Sequence, residues 1–262
     1  MEVDGFTACE RNTTNSGRSG VPKKTKKPRK KPKGYKSRRL TKRGHYAPCG
    51  ELNLLLDVFE DMLDLVHQRF LRKIQAFEEA QGETVSCTRG CTACCKQQVL
   101  ATVAEGLVIA RYLLKLYPKE KLMSLLSVLE FQAKFQDKVS AVDWFDSNNM
   151  CGFVDEKTHD CTIYKYRPAM CRFHCVISPA EDCAKDSGHT VATPDTTEAE
   201  AHVLKSSVAF MRAAGQGGVM APGTLPTVTL MGLSILQDNS FDILKQFKPS
   251  SYADMVAMFN KK

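Results

Sequence analysis

The sequence predicts a mainly α-helical protein: a helical domain built around an irregular cysteine-rich metal-binding core with a short hairpin, preceded by a disordered basic tail. Three observations carry this expectation. Apolar residues recur at three- and four-residue steps through most of the body, the spacing of one helix face. Eight of the eleven cysteines gather into two strings, separated by a helical stretch. Between Arg11 and Gly50 stand fifteen lysines and arginines and no acid.

The net charge of +8 therefore describes neither part of the chain. From Glu51 onward 22 basic residues face 26 acidic ones, so a cationic tail precedes a mildly acidic body. Residues 1–47 are expected to be disordered. The run Lys23 to Lys33 repels itself, is broken by Pro28 and Pro32, and has nothing apolar to bury. Residues 21–46 can contact nucleic acid or another polyanion nonspecifically, by releasing counterions from its phosphates. A solubilising tail or a localisation signal is the plainer use of the same residues. Tyr35 and Tyr46 are too few for a stacking platform.

Met1 to Gly20 is polar, without the apolar segment of a secretion signal. No apolar run approaches the ~20 residues that span a bilayer. The expected location is cytoplasmic, or nuclear in a eukaryotic cell. A reducing compartment favours metal ligation over disulfides for clustered cysteines.

Taken in order, the first helix runs from Glu51 to about Ala80, with Leu52, Leu55, Leu56, Phe59, Leu63, Val66, Phe70, Ile74 and Phe77 on its apolar side. Gln81-Gly82 stops it. His67 falls at the boundary of that face. Thr102-Val103-Ala104-Glu105 is a capping box, and the helix it opens reaches Tyr117, before Pro118. A further helix is expected from Lys119 to about Phe145, the two forming an antiparallel pair, with Trp144 packing near the second cysteine string. Residues 146–183 lose the helical period. Cys151 to Glu156 and Cys161 to Tyr164 read as the arms of the hairpin, and Pro168 as the first residue of a short helix. A helix over Thr197 to Ala213 follows, with a glycine-rich break at Gly215–Gly218. Weaker helical segments lie around Thr229–Gln237 and Ser251–Asn260. The domain division is 1–47 as tail, 48–183 as helical cysteine-cluster domain and 184–262 as a C-terminal helical extension.

The chemistry resides in the cysteines. Cys87, Cys91, Cys94 and Cys95 form C-x3-C-x2-C-C, in a stretch whose Gly90 and threonines disfavour helix. Cys151, Cys161, Cys171 and Cys175 form the second string. Thiolates at two- and three-residue separations converge on one soft cation, as in zinc and iron–sulfur sites. Eight thiols exceed one four-coordinate ion. Two sites, one cluster with spare thiols, or some redox-active cysteines all satisfy the count. Adjacent Cys94 and Cys95 strain to reach one ion together, which favours two sites or a polynuclear one. Each string is incomplete and the two complement each other, so one metal-centre region is expected. Arg167 and Arg172 flank Pro168 and Cys171 and are placed around the ligands, where cations offset thiolate charge. Arg89 is a further cation beside the first string. His174 is a candidate ligand, or more simply a surface group. Cys9, Cys49 and Cys183 are not needed.

Cys87-x3-Cys91-x2-Cys94-Cys95, Cys151-Gly-Phe, Cys161-Thr-Ile-Tyr164 and Tyr166-Arg167-Pro168-x2-Cys171-Arg172 together resemble the YkgJ-like family of zinc- or iron-chelating cysteine-cluster domains. The resemblance covers residues 84–178 and implies a small metal-binding domain. A flagellin lysine N-methylase with a related cluster shows that such a domain can also serve an enzyme.

Three functions follow, a thiol-redox or metal-trafficking protein being the third. The first is a metal-binding protein, holding zinc or an iron–sulfur cluster, whose tail contacts a polyanion. The alternative is an iron–sulfur-dependent protein-modifying enzyme, lysine N-methylase-like. No Ser/His/Asp grouping or phosphate loop stands out in the sequence, and His159-Asp160 reads as a polar turn.

Overall fold

The computed structural model describes residues 49–82, 84–87, 90–183, 192–216 and 222–246. The basic tail, Arg89 and the segment Ser251–Asn260 lie outside the described residues.

Seven α-helices are present among the described residues: α1 Cys49–Gln81, α2 Val103–Leu116, α3 Lys119–Gln136, α4 Ala141–Asp146, α5 Ala169–Phe173, α6 Thr197–Ala213 and α7 Leu225–Asp238. No helix among them is long and apolar enough to cross a membrane. The expected apolar face of α1 is the observed one. Leu52, Leu56, Phe59, Leu63, Val66, Phe70 and Ile74 are buried, while Leu54, Val58 and Leu65 face out. Gly82 terminates it at φ +70°, a left-handed conformation that glycine adopts without steric cost.

α2 begins with both halves of its capping box formed. The Glu105 N–H donates to Thr102 Oγ1 at 3.2 Å, and Glu105 Oε2 accepts the Thr102 N–H at 2.8 Å. Ten of its fourteen residues are buried, so it is the central helix. It packs most closely on α7, and two glycines explain why. A Cβ on Gly232 would lie 2.6 Å from the Gly106 carbonyl oxygen, and one on Gly106 would meet the Val228 carbonyl. With no side chain at either position, the two backbones touch.

Two hydrophobic clusters lie on either side of this crossing. One joins α1, α2, α5, α6 and α7 through residues such as Phe59, Phe173, Phe210 and Ile235. The other joins α2, α3 and α7 with Phe153 and Ile163 from the cysteine region. Both clusters draw on the segment 184–262.

The structure corrects several sequence expectations. The helix expected over 119–145 breaks after Gln136, because Ser140 and Asp143 form a second capping box that starts α4. α2 and α3 meet through α7, which packs against both, rather than as a simple pair. The weak helix at Thr229–Gln237 is the interior part of α7, with Val228, Thr229, Met231 and Ile235 buried. Pro168 is the residue capping α5 rather than its first. Trp144 is buried, with its ring 5.8 Å from that of Phe135. The hairpin is present in reduced form, as one bridge between Val154 and Cys161. A two-stranded antiparallel ladder also joins β1 (Leu100–Ala101) to β2 (Gly223–Thr224), pairing Leu100 with Thr224 and Ala101 with Gly223.

Candidate metal centre

Four short pieces of backbone bring the two cysteine strings together. Residues 84–87 run beside 176–177. Ser86 N–H donates to the Val176 carbonyl at 2.9 Å, and Val176 N–H in turn donates to Cys87 Sγ at 3.3 Å. Gly90, at φ +89°, turns the chain towards Cys91. A 3-10 turn over Ala93–Lys96 then carries Cys94 and Cys95, held by Cys95 N–H donating to the Thr92 carbonyl at 2.9 Å. The direct link between the strings is Cys151 N–H donating to the Cys95 carbonyl at 2.8 Å.

The second string is positioned by α3 and α5. Gln132, buried on α3, donates to the Met150 carbonyl at 2.7 Å and accepts the Gly152 N–H at 3.1 Å, fixing the peptides on both sides of Cys151. The bridge from Val154 to Cys161, with Thr162 N–H donating to the Phe153 carbonyl at 2.8 Å, returns the chain alongside. Cys171 sits within α5, its N–H donating to the Pro168 carbonyl at 2.9 Å. Glu105 Oε1 accepts the Ala169 N–H at 2.6 Å and so ties the start of α5 to the start of α2.

The result is one cavity of about 90 Å³, lined by Cys87, Cys91, Cys94, Cys95, Cys151, Cys161 and Cys171. Seven of the eight cysteines expected as ligands face it. The eighth, Cys175, is buried in the core cluster with α1 and α5. His174 and His159 also line it, beside apolar residues such as Val99, Phe153 and Leu225, and burial pulls the His174 imidazole below its ordinary range. Among the described residues no three His, Cys, Asp or Glu side chains already form a closed metal shell. Rotation about χ1 is the freedom by which sulfurs on this frame can be re-aimed.

Burial dominates the electrostatics of the thiols. It pushes Cys151 up to about 12, and raises Cys87 and Cys161 as well. Cys171 is raised well above the ordinary thiol range by the same cause. Cys94 moves the other way, chiefly because the Cys95 thiol hydrogen-bonds to it and thereby favours its thiolate. Arg167 is the cation facing these groups. Its charge favours the thiolates of Cys87, Cys94, Cys161 and Cys171, and its guanidinium lies 3.8 Å from the centre of the Tyr164 ring.

Arg172, expected beside the ligands, does not line the cavity. Its guanidinium bonds to the Arg167 carbonyl at 2.6 Å, the Lys165 carbonyl and Asp64 of α1. It shapes the 165–167 turn from behind and thereby presents Arg167. Cys183, set aside from the sequence, does not line the cavity, and its thiol is raised first by burial and then by the charges of Cys87, Cys91 and Cys94.

Residues 86–194 match the family model CxxCxxCC, whose description reads "Putative zinc- or iron-chelating domain". That segment is similar to this cysteine-cluster family, whose description supports zinc or iron chelation. No curated protein matches the chain. No solved structure matches it.

Proposed function

We propose that this protein binds zinc or an iron–sulfur cluster through Cys87, Cys91, Cys94, Cys95, Cys151, Cys161 and Cys171, with Arg167 balancing part of the negative charge. The observation that carries this reading is the convergence of seven thiols from two distant segments on one cavity. The donor set fits. It is soft and thiol-rich, as zinc and iron–sulfur sites require, with His174 as an imidazole at its edge. Thiols held protonated by burial ionise readily only when a cation takes the charge, so the cavity suits a bound metal better than free thiolate chemistry. Bound metal would close the long loop between the strings, and part of its binding energy would then be folding energy.

Residues 48–183 are proposed as the metal-binding unit, with 184–262 supporting it. Residues 21–46 are proposed to hold the protein to a polyanion such as nucleic acid, on the strength of their charge.

Anaerobic purification followed by an optical spectrum and analysis for zinc, iron and sulfide tests the metal reading. Cys91→Ser and Cys171→Ser are expected to lower metal content, and full retention in both variants would overturn it. For the tail, deletion of residues 1–47 is expected to abolish a steeply salt-dependent RNA affinity and leave the metal in place. Equal RNA binding by the truncated body would remove the tail from the proposal.

A further inference from the structure

We infer that the cleft between α1 and α2 is a docking site for the chain's own basic segment, residues 36–43, which lies outside the described residues. The occupant is held by the acids of α1 and by the aromatic end of the cleft. This goes beyond the metal and polyanion readings and needs neither of them.

Charge along the chain is the first argument. From Cys49 to Gln68, α1 carries five acids, Glu51, Asp57, Glu60, Asp61 and Asp64, and no lysine or arginine. Residues 36–43 carry Lys36, Arg38, Arg39, Lys42 and Arg43 and no acid. Opposite charges joined by a short connection meet at a high effective concentration.

The structure gives those acids a shaped setting. The cleft has a volume of about 440 Å³, and Asp57, Glu60 and Asp61 line its α1 side. Arg111, a buried guanidinium on α2, bonds Asp57 at 2.5 Å and Glu60 at 2.6 Å. One cation is thus shared by two carboxylates. Asp61 is exposed and has no cationic partner among the described residues. Lys115 is the other cation of the lining, so three acids outnumber two cations.

The remaining features fit the same occupant. Tyr112 and Tyr166 also line the cleft, with ring centres 4.3 Å apart. Lys165 Nζ stands 5.4 Å over the Tyr166 ring, the kind of contact an arginine of the tail would make with these tyrosines. Beside the acids, Leu54, Val58 and Leu65 form an apolar row on α1, each more than half exposed. Leu40 is the apolar residue set among the five cations of the segment.

Reach is sufficient. Six residue steps separate Arg43 from Cys49, a span of about 20 Å when extended. Asp57 and Asp61 lie about 12 and 18 Å along the helix from Cys49. Gly44 and Pro48 fall within the connection, residue types that suit the turn it must make.

The test is limited trypsin cleavage of the full-length chain, followed site by site with mass spectrometry. At low salt, cleavage after Arg38, Arg39, Lys42 and Arg43 is expected to be slowed relative to cleavage after Lys24 and Lys26. About 1 M salt, where the screening length falls to about 3 Å, should remove the difference. Asp61→Lys breaks no ion pair among the described residues. It is expected to speed cleavage at the four sites about fivefold and leave Lys24 and Lys26 unchanged. Glu130→Lys makes the same charge change at an exposed position of α3 outside the cleft, and is expected to change neither. Unchanged rates in Asp61→Lys, or an equal rise in Glu130→Lys, would overturn the inference. Slowing that grows with protein concentration would give the cleft to the tail of a second copy and overturn the contact within one chain. Zero-length carbodiimide coupling of the unmutated chain supplies a second measurement. Lys36 or Lys42 is expected to join Asp57, Glu60 or Asp61, and coupling of these lysines only to acids elsewhere would rule the cleft out.

Discussion

Glu105 Oε1 accepts the backbone N–H of Ala169 at 2.6 Å, while its other oxygen accepts the Thr102 N–H at 2.8 Å. One buried carboxylate thus starts two helices, α2 with its own capping box and α5 at the head of the turn that holds Cys171. Glu105→Gln retains one acceptor oxygen and turns an NH2 group towards a backbone donor. It is expected to cost about 1–3 kcal/mol, the penalty of a buried donor left without a partner. Glu105→Ala is expected to cost more, and to expose Cys171 to thiol reagents. Denaturant titration and thiol labelling measure both; a silent Glu105→Ala would show that the bond to Ala169 is dispensable.

Burial raises the carboxyl of Glu105 above its ordinary value of 4.5. A raised carboxyl contributes stability that is fully present below the unfolded value and is lost as pH rises through the folded one. The wild type is therefore expected to gain on Glu105→Gln as pH falls towards 4.5, and the difference between the two denaturation midpoints reads it directly.

The crossing of α2 and α7 predicts a penalty for any side chain at its centre. Gly106→Ala and Gly232→Ala each drive a Cβ into backbone and are expected to destabilise by roughly 1–3 kcal/mol or more. Because either one already forces the helices apart, the double variant should cost less than the sum. Additive losses would mean that the helices yield independently.

Thiol ionisation sets the pH behaviour of the centre. Burial carries Cys151 from an ordinary value of 9.0 up to about 12. In the metal-free protein its contribution is complete below pH 9 and drains away as pH rises through about 12, because the unfolded chain ionises first. Metal binding has the opposite sense, since ligand thiols must release protons, so zinc affinity is expected to rise steeply with pH. Chelator competition over a pH series measures this, and a flat affinity would rule out thiolate ligation.

Arg167 is expected to matter through charge and shape together. Arg167→Met should weaken metal binding at least tenfold, and Arg167→Lys should restore only part of it, because an ammonium lacks the planar face stacked on Tyr164. Equal affinities for Met and Lys would assign the side chain to packing alone.

Much of this was legible from local pattern. The apolar face of α1, the capping box of α2 and the bounds of α6 all follow from short-range rules, and the structure agrees. The convergence of both cysteine strings on one region was also readable, since each is incomplete alone. α7 was underrated because its threonines and Gly232 are poor helix formers, and its role comes from packing against α2. The break before α4 lay in Ser140 and Asp143, a capping box with aspartate in place of the usual glutamate. The pairing of 100–101 with 223–224 and the fate of Cys175 depend on contacts between distant segments. No spacing reports those. Arg172 looked like a cation for the cluster, yet its partners include two backbone carbonyls, which leave no trace in the identity of neighbouring residues.

The paired glycines also act as a fixed mark from which the rest of the molecule is measured. Neither helix can slide or turn there without forcing a side chain into the other's backbone. The residues between Lys96 and Gly106 therefore form a ruler of set length from that mark to Cys94 and Cys95. A single residue inserted or lost along it would move the sulfurs while leaving every cysteine in the sequence. Length changes in the connection between α6 and β2 would leave that ruler untouched. The spacing that matters to the centre thus extends past the cysteines themselves, to a point on α2 that carries no chemistry at all.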